Sequence, residues 1–111
     1  MTTPSELRAL ADRVCAEEPS ELLREAVCAV IGYDNRKWIN LPDPLHNLSD
    51  AAAMMPAGWR IRDMLEQSEW GWTVEVWKMG MRRIIVTAPT EPRARTALAL
   101  RVQAAIMEDG E

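Results

Sequence analysis

The sequence predicts an α+β fold: N-terminal helices, a three-stranded antiparallel β-meander, and a C-terminal helix packed on the sheet. Three observations predict it. Residues 57–88 hold four of the five tryptophans and most of the alternating β-branched and aromatic signal, as a pleated, half-buried surface requires. Upstream of them, apolar residues recur at helical spacing behind recognisable start signals. Downstream, from Thr90, the helical period returns. A length of 111 residues suits one domain, residues 1–111, with enough chain to hold a core without metal or disulfide staples.

The first helix opens with Thr3 as N-cap, Pro4 at the first helical position and Glu6 as the capping-box partner. Leu7, Leu10, Ala11 and Val14 then form one apolar face. Glu17-Glu18-Pro19 interrupts the ladder, and Pro19 opens a second helix that runs to Ile31. Its apolar stripe is Leu22, Leu23, Ala26, Val27, Val30 and Ile31, and Gly32 is a natural stop. Residues 33–47 read as a long irregular loop, because Pro42 and Pro44 forbid regular structure around them. Trp38, Ile39, Leu41 and Leu45 are the residues by which such a loop packs down. Asn47 caps a short helix that Ala51 to Met55 carry to Pro56.

Alternation assigns faces in the sheet. In the first strand Trp59 and Ile61 share one side, and Arg60, Arg62 and Met64 the other. In the second, Trp70, Trp72, Val74 and Val76 face the core, with Thr73, Glu75 and Trp77 opposite. A turn at 78–81 leads to the third strand, 82–87, where Ile84 and Val86 join the core face and Arg83, Ile85 and Thr87 face out. A one-residue slip would exchange those last assignments. The final helix starts near Thr90, with Glu91 and Pro92 in its first turn. Ala94, Ala97, Leu98, Arg101, Val102, Ala105 and Ile106 make an apolar face edged by arginine.

Net charge is −4, which argues against general binding to a phosphate backbone. Arginine still clusters in 60–62, 82–83 and 93–101, so a local basic surface stays open. Cys15 and Cys28 form no CxxC pair and sit among apolar residues, and His46 is far from both. The expectation is two reduced, buried thiols, with no metal and no cofactor. The N-terminus has neither the basic region nor the apolar run of a signal peptide, and no apolar stretch is long enough to span a bilayer, so the expected location is the cytoplasm. His46 has no nucleophile elbow or patterned acid beside it, Asp34, Asp43 and Asp50 lack calcium-loop spacing, and no phosphate-binding glycine motif exists. The sequence therefore reads as a non-enzyme.

Three sets of segments carry a resemblance. They are Leu10-Ala-Asp-Arg-Val14 with Pro19-Ser-Glu-Leu22 and Val30-Ile-Gly32, then Leu48-Ser-Asp-Ala-Ala52 with Pro56-Ala-Gly-Trp59, and last Thr96-Ala-Leu-Ala-Leu100 with Ala104-Ala-Ile106. In order and spacing they resemble the small phage and prophage proteins called phage ABA sandwich domains. The resemblance implies a phage accessory protein with helix–strands–helix order, and it carries over no catalytic residue. In that family a proline often opens the last helix at the position of Thr96; here Pro92 lies earlier, which implies a helix starting about a turn sooner.

Two partner-binding surfaces emerge. One is the outer face of the sheet, with Arg60, Arg62, Glu75, Trp77, Arg83 and Ile85, since tryptophan and arginine are enriched at interface hot spots. The competing reading is a sandwich that covers this face and makes it a second core, as the resemblance implies. The other surface is the loop, with Arg36, Lys37 and Trp38, set against a purely structural loop. The leading functional expectation is a phage-type protein-binding module acting on a host or phage protein, of which an anti-CRISPR-like steric inhibitor of a bacterial defence system is one version. A second is a nucleic-acid-binding accessory protein using Arg82, Arg83, Arg93, Arg95 and Arg101. A third is a homo-oligomeric phage structural part; as a free protein, a monomer or homodimer is expected.

Overall fold

The computed structural model describes residues 2–31, 43–56, 59, 61–67, 71–76 and 83–108, with the backbone alone for 31 and 61–67. Along the chain run α1 (Pro4–Ala16), α2 (Glu21–Ile31), α3 (Leu48–Ala52), β1 (Ile61–Gln67), β2 (Gly71–Val76), β3 (Ile84–Ala88) and α4 (Glu91–Glu108). The class is α+β, with a C-terminal helix against an antiparallel sheet. No helix among the described residues is long and apolar enough to cross a membrane.

Local signals set the helix starts. The Glu6 amide donates to Thr3 Oγ1 at 3.2 Å and the Thr3 amide to Glu6 Oε2 at 3.4 Å, closing the capping box. The second helix starts at Glu21, later than the sequence suggested. Ser20 caps it, accepting the Leu23 amide at 3.2 Å, so Pro19 belongs to the turn before. Its stripe is also narrower than expected: Leu23, Val27 and Cys28 are buried, but Leu22 is 77% exposed. The short helix keeps Asn47 as its cap, with Oδ1 accepting the Asp50 amide at 3.0 Å, and ends at Ala52 rather than near Met55. The expected stop at Gly32 and the loop segment 33–42 lie outside the described residues.

The strands pair antiparallel in the order β1-β2-β3. β1 starts at Ile61, and Trp59 is buried just ahead of it. Ile61 stands opposite Val76, but Asp63 stands opposite Glu75, so one residue, Arg62, is extra. That irregularity places Met64 at the register position opposite Val74, whereas strict alternation grouped it with Arg60 and Arg62. In β2, Val74 and Val76 are fully buried, and in β3 Val86 and Ala88 are buried while Ile85 and Thr87 are exposed. Of the two registers open to the third strand, the structure adopts the one with Val86 inward. Gly71 takes φ +93°, and a Cβ there would stand 2.2 Å from the Ala88 carbonyl oxygen, so only glycine fits at this crossing of β2 and the end of β3.

The centre of the molecule is α4. It packs most extensively on α1, and also on α3 and on β2 and β3. Ala94, Thr96, Ala97, Leu98, Ala99, Leu100, Val102, Ala104 and Ala105 are all buried, so burial reaches well beyond the single apolar face read from the sequence. Neighbours on several sides are possible because alanines let other backbones approach closely. Thr96 lies inside the helix, consistent with the earlier start implied by Pro92, and its hydroxyl donates to the Pro44 carbonyl at 2.8 Å. That bond seats the turn 43–47 on α4, with Pro44 and Leu45 buried beneath it.

Candidate functional site

α4 covers one face of β2 and β3, and α1 packs beside it on β3. On the other face Thr73 faces Thr87, with their hydroxyls 3.0 Å apart, and Glu75 faces Ile85. Ile85 is 44% exposed on this face, one of several large apolar side chains that reach solvent, with Leu22, Leu48 and Met107. Arg83, just before β3, is exposed and sets its Nε 3.4 Å from Glu75 Oε1. β3 is an edge strand of the sheet, so one of its sides faces no strand among the described residues. At this edge a cleft of about 250 Å³ opens, lined by Arg8, Arg83, Ile84, Ile85, Arg101 and Ala105.

The arginines of the cleft come from α1, from α4 and from the residue just ahead of β3. α1 and α4 run antiparallel, so Arg8 near the start of one meets Glu108 at the end of the other, and Asp12, further along α1, meets Arg101, earlier in α4. Arg8 uses both terminal nitrogens on Glu108, and this hydrogen bonding raises its already high pKa further. Arg101 gives Nη2 alone to Asp12. These pairs are partly solvated and add little to stability, but they hold the guanidinium groups at the cleft.

The sequence-level candidates are thus partly reunited. Arg83, Glu75 and Ile85 stand together on the outer face, and Arg101, read with a different surface, joins Arg83 at the cleft. Arg8 escaped sequence reasoning, because nothing near it in the chain marks it; only the antiparallel pairing of α1 with α4 brings it here. Arg36, Lys37, Trp38, Arg60, Trp77 and Arg82, and the side chain of Arg62, lie outside the described residues.

Arg93 corrects the nucleic-acid grouping. It is 5% exposed, and its guanidinium donates to the carbonyls of Val14 at 2.9 Å, Cys15 at 3.2 Å and Glu17 at 2.5 Å. These are carbonyls at the C-terminus of α1, where partial negative charge gathers. Arg93 is a cap for another helix and is withdrawn from any surface. Arg95 pairs with Glu91 at 3.1 Å within α4.

His46 sits beside Asp43, Nδ1 to Oδ2 at 2.9 Å, and the Asp43 amide donates to Asp50 Oδ2 at 2.9 Å. These residues serve the turn that leads into α3. Among the described residues no three His, Cys, Asp or Glu side chains stand close enough to hold a metal ion. Neither Cys15 nor Cys28 is joined in a disulfide; burial pushes the Cys15 thiol up despite Arg101 and Arg93 nearby, and it pushes the Cys28 thiol up despite Arg24. No known protein family, curated protein or solved structure matches the chain.

Proposed function

We propose that this protein is a non-enzymatic protein-binding module that acts by occupying a surface of its partner through the outer face of β3. One observation carries the reading: Ile85 and Thr87 are exposed side by side on an edge strand, with Arg83 next to them. An apolar residue beside an arginine matches the apolar centre and arginine enrichment of protein interfaces. Trp77, Arg60 and the Arg62 side chain, which the sequence grouped with this face, lie outside the described residues and carry no part of the reading. A phage or prophage origin, and a host defence protein as the target, follow from the resemblance of the segments around Leu10, Leu48 and Thr96, and form the finer part of the proposal.

The nucleic-acid alternative has less support. Arg93 is buried on backbone carbonyls, Arg95 and Arg101 each face a carboxylate, and the chain carries −4 overall. The test is capture from nuclease-treated bacterial lysate with tagged protein, beside Ile85→Lys and Arg83→Ala variants shown to be folded by circular dichroism. A protein retained by the parent and lost by both variants supports the reading. Retention indifferent to both variants, or recovery of nucleic acid alone when nuclease is omitted, refutes it.

A further inference from the structure

We infer that the cleft between α1, α4 and β3 is a pocket for an acidic side chain of the protein partner, flanked by an apolar one. The inference rests on the protein-binding reading above and specifies its chemistry. Arg8 in α1, Arg101 in α4 and Arg83 just ahead of β3 are far apart in the chain, yet line one cleft of about 250 Å³. Ile84, Ile85 and Ala105 supply its apolar lining. A guanidinium carries five N–H donors in a planar fork matched to carboxylate geometry. Among the described residues, Arg101 spends one terminal nitrogen on Asp12, and Arg83 sets its Nε a long 3.4 Å from Glu75. Both therefore keep donors for an incoming carboxylate without giving up the partner they have. Arg8, held by two nitrogens on Glu108, forms the fixed wall.

The resident carboxylates decide between anion classes. Asp12, Glu75 and Glu108 already balance the three arginines, so the site lacks the excess positive charge that a run of phosphates would need. What it offers is directed hydrogen bonding beside apolar surface. That suits a single glutamate or aspartate next to a leucine-like side chain. Ile85 belongs both to this lining and to the exposed sheet face, so one partner segment crossing β3 would contact the two together.

The experiment is a titration of ¹⁵N-labelled protein followed by NMR, reading backbone amides of residues 84, 85, 101 and 105 and the arginine Nε–H signals. The probes are acetyl-Glu-Leu-Asp-Glu-amide, its Gln-Leu-Asn-Gln counterpart, sodium phosphate, and a ten-nucleotide thymidine strand. Saturable shifts at the cleft with the acidic peptide alone are expected. Arg101→Gln and Arg83→Gln should each weaken that binding at least five-fold, and Arg95→Gln, outside the cleft, should leave it unchanged. Arg83 is exposed, so its variant keeps the test sound if Arg101→Gln disturbs the α1–α4 contact. The inference is overturned by no saturable shift, by equal binding of the neutral peptide, or by tighter binding of phosphate or the oligonucleotide. A captured partner lost by Ile85→Lys but kept by Arg101→Gln would sink the cleft while sparing the protein-binding module.

Discussion

Replacing Arg93 tests the packing of the whole molecule. Three of its hydrogen bonds, at 2.9, 3.2 and 2.5 Å, end on carbonyls of α1, and the side chain is 5% exposed. Charge-assisted bonds of this kind contribute roughly 1.5–3 kcal/mol each in isolation, but bonds that share one guanidinium do not add. Arg93→Met removes the bonds and leaves the Val14 carbonyl buried without its donor. It also removes the cost of burying a charge, which offsets part of the loss. The expected net destabilisation is about 2–4 kcal/mol. For a domain of this size that lowers Tm by on the order of 10 °C or more. Arg93→Lys keeps the charge but cannot reach three carbonyls in one plane, so an intermediate loss of about 1–2 kcal/mol is expected. Urea unfolding followed by tryptophan fluorescence measures both, and amide exchange should quicken first at the last turn of α1. A stability change for Arg93→Met within about 0.5 kcal/mol, the ordinary range for surface substitutions, would refute the capping role. A loss of nucleic-acid binding without loss of stability would restore the surface role read from the sequence.

Gly71→Ala should destabilise the fold by at least about 2 kcal/mol, because it combines the left-handed penalty with a backbone clash at the Ala88 carbonyl; thermal unfolding within 2 °C of the parent would count against that geometry. The two thiols predict a pH dependence. Both are raised in the folded state by burial, so above the ordinary thiol value of about 8.5 the folded protein holds protons that the unfolded chain releases. Stability should therefore decline as pH rises from about 8.5 through the raised folded values. A Cys15→Ala/Cys28→Ala variant should decline less over the same range; identical profiles in urea unfolding at pH 7.5 and 9.5 would show that the thiols do not contribute.

Much of the fold was legible because its signals are local. Thr3, Pro4 and Glu6 act within one turn, Asn47 does the same for α3, and alternation along 72–76 and 84–88 sorts core from surface two residues at a time. Where the reading missed, a competing local signal or an irregularity decided. Ser20 outweighed Pro19 as the helix start, and an extra residue at Arg62 broke the alternation of β1.

The sequence by itself determined the α+β class, the order of the elements, the N-caps Thr3 and Asn47, and the inward pair Val74 and Val76. Only the tertiary structure decided that α4 is central, that Arg93 closes α1 rather than facing solvent, and that Arg8, Arg83 and Arg101 share one cleft. The physical reason is range. Caps and periodicity are energies between residues a few positions apart, so the local chain states them. Arg93 meets Val14 across 79 positions and Arg8 meets Glu108 across 100. Such contacts exist only once the core has chosen which helix faces to bury against each other.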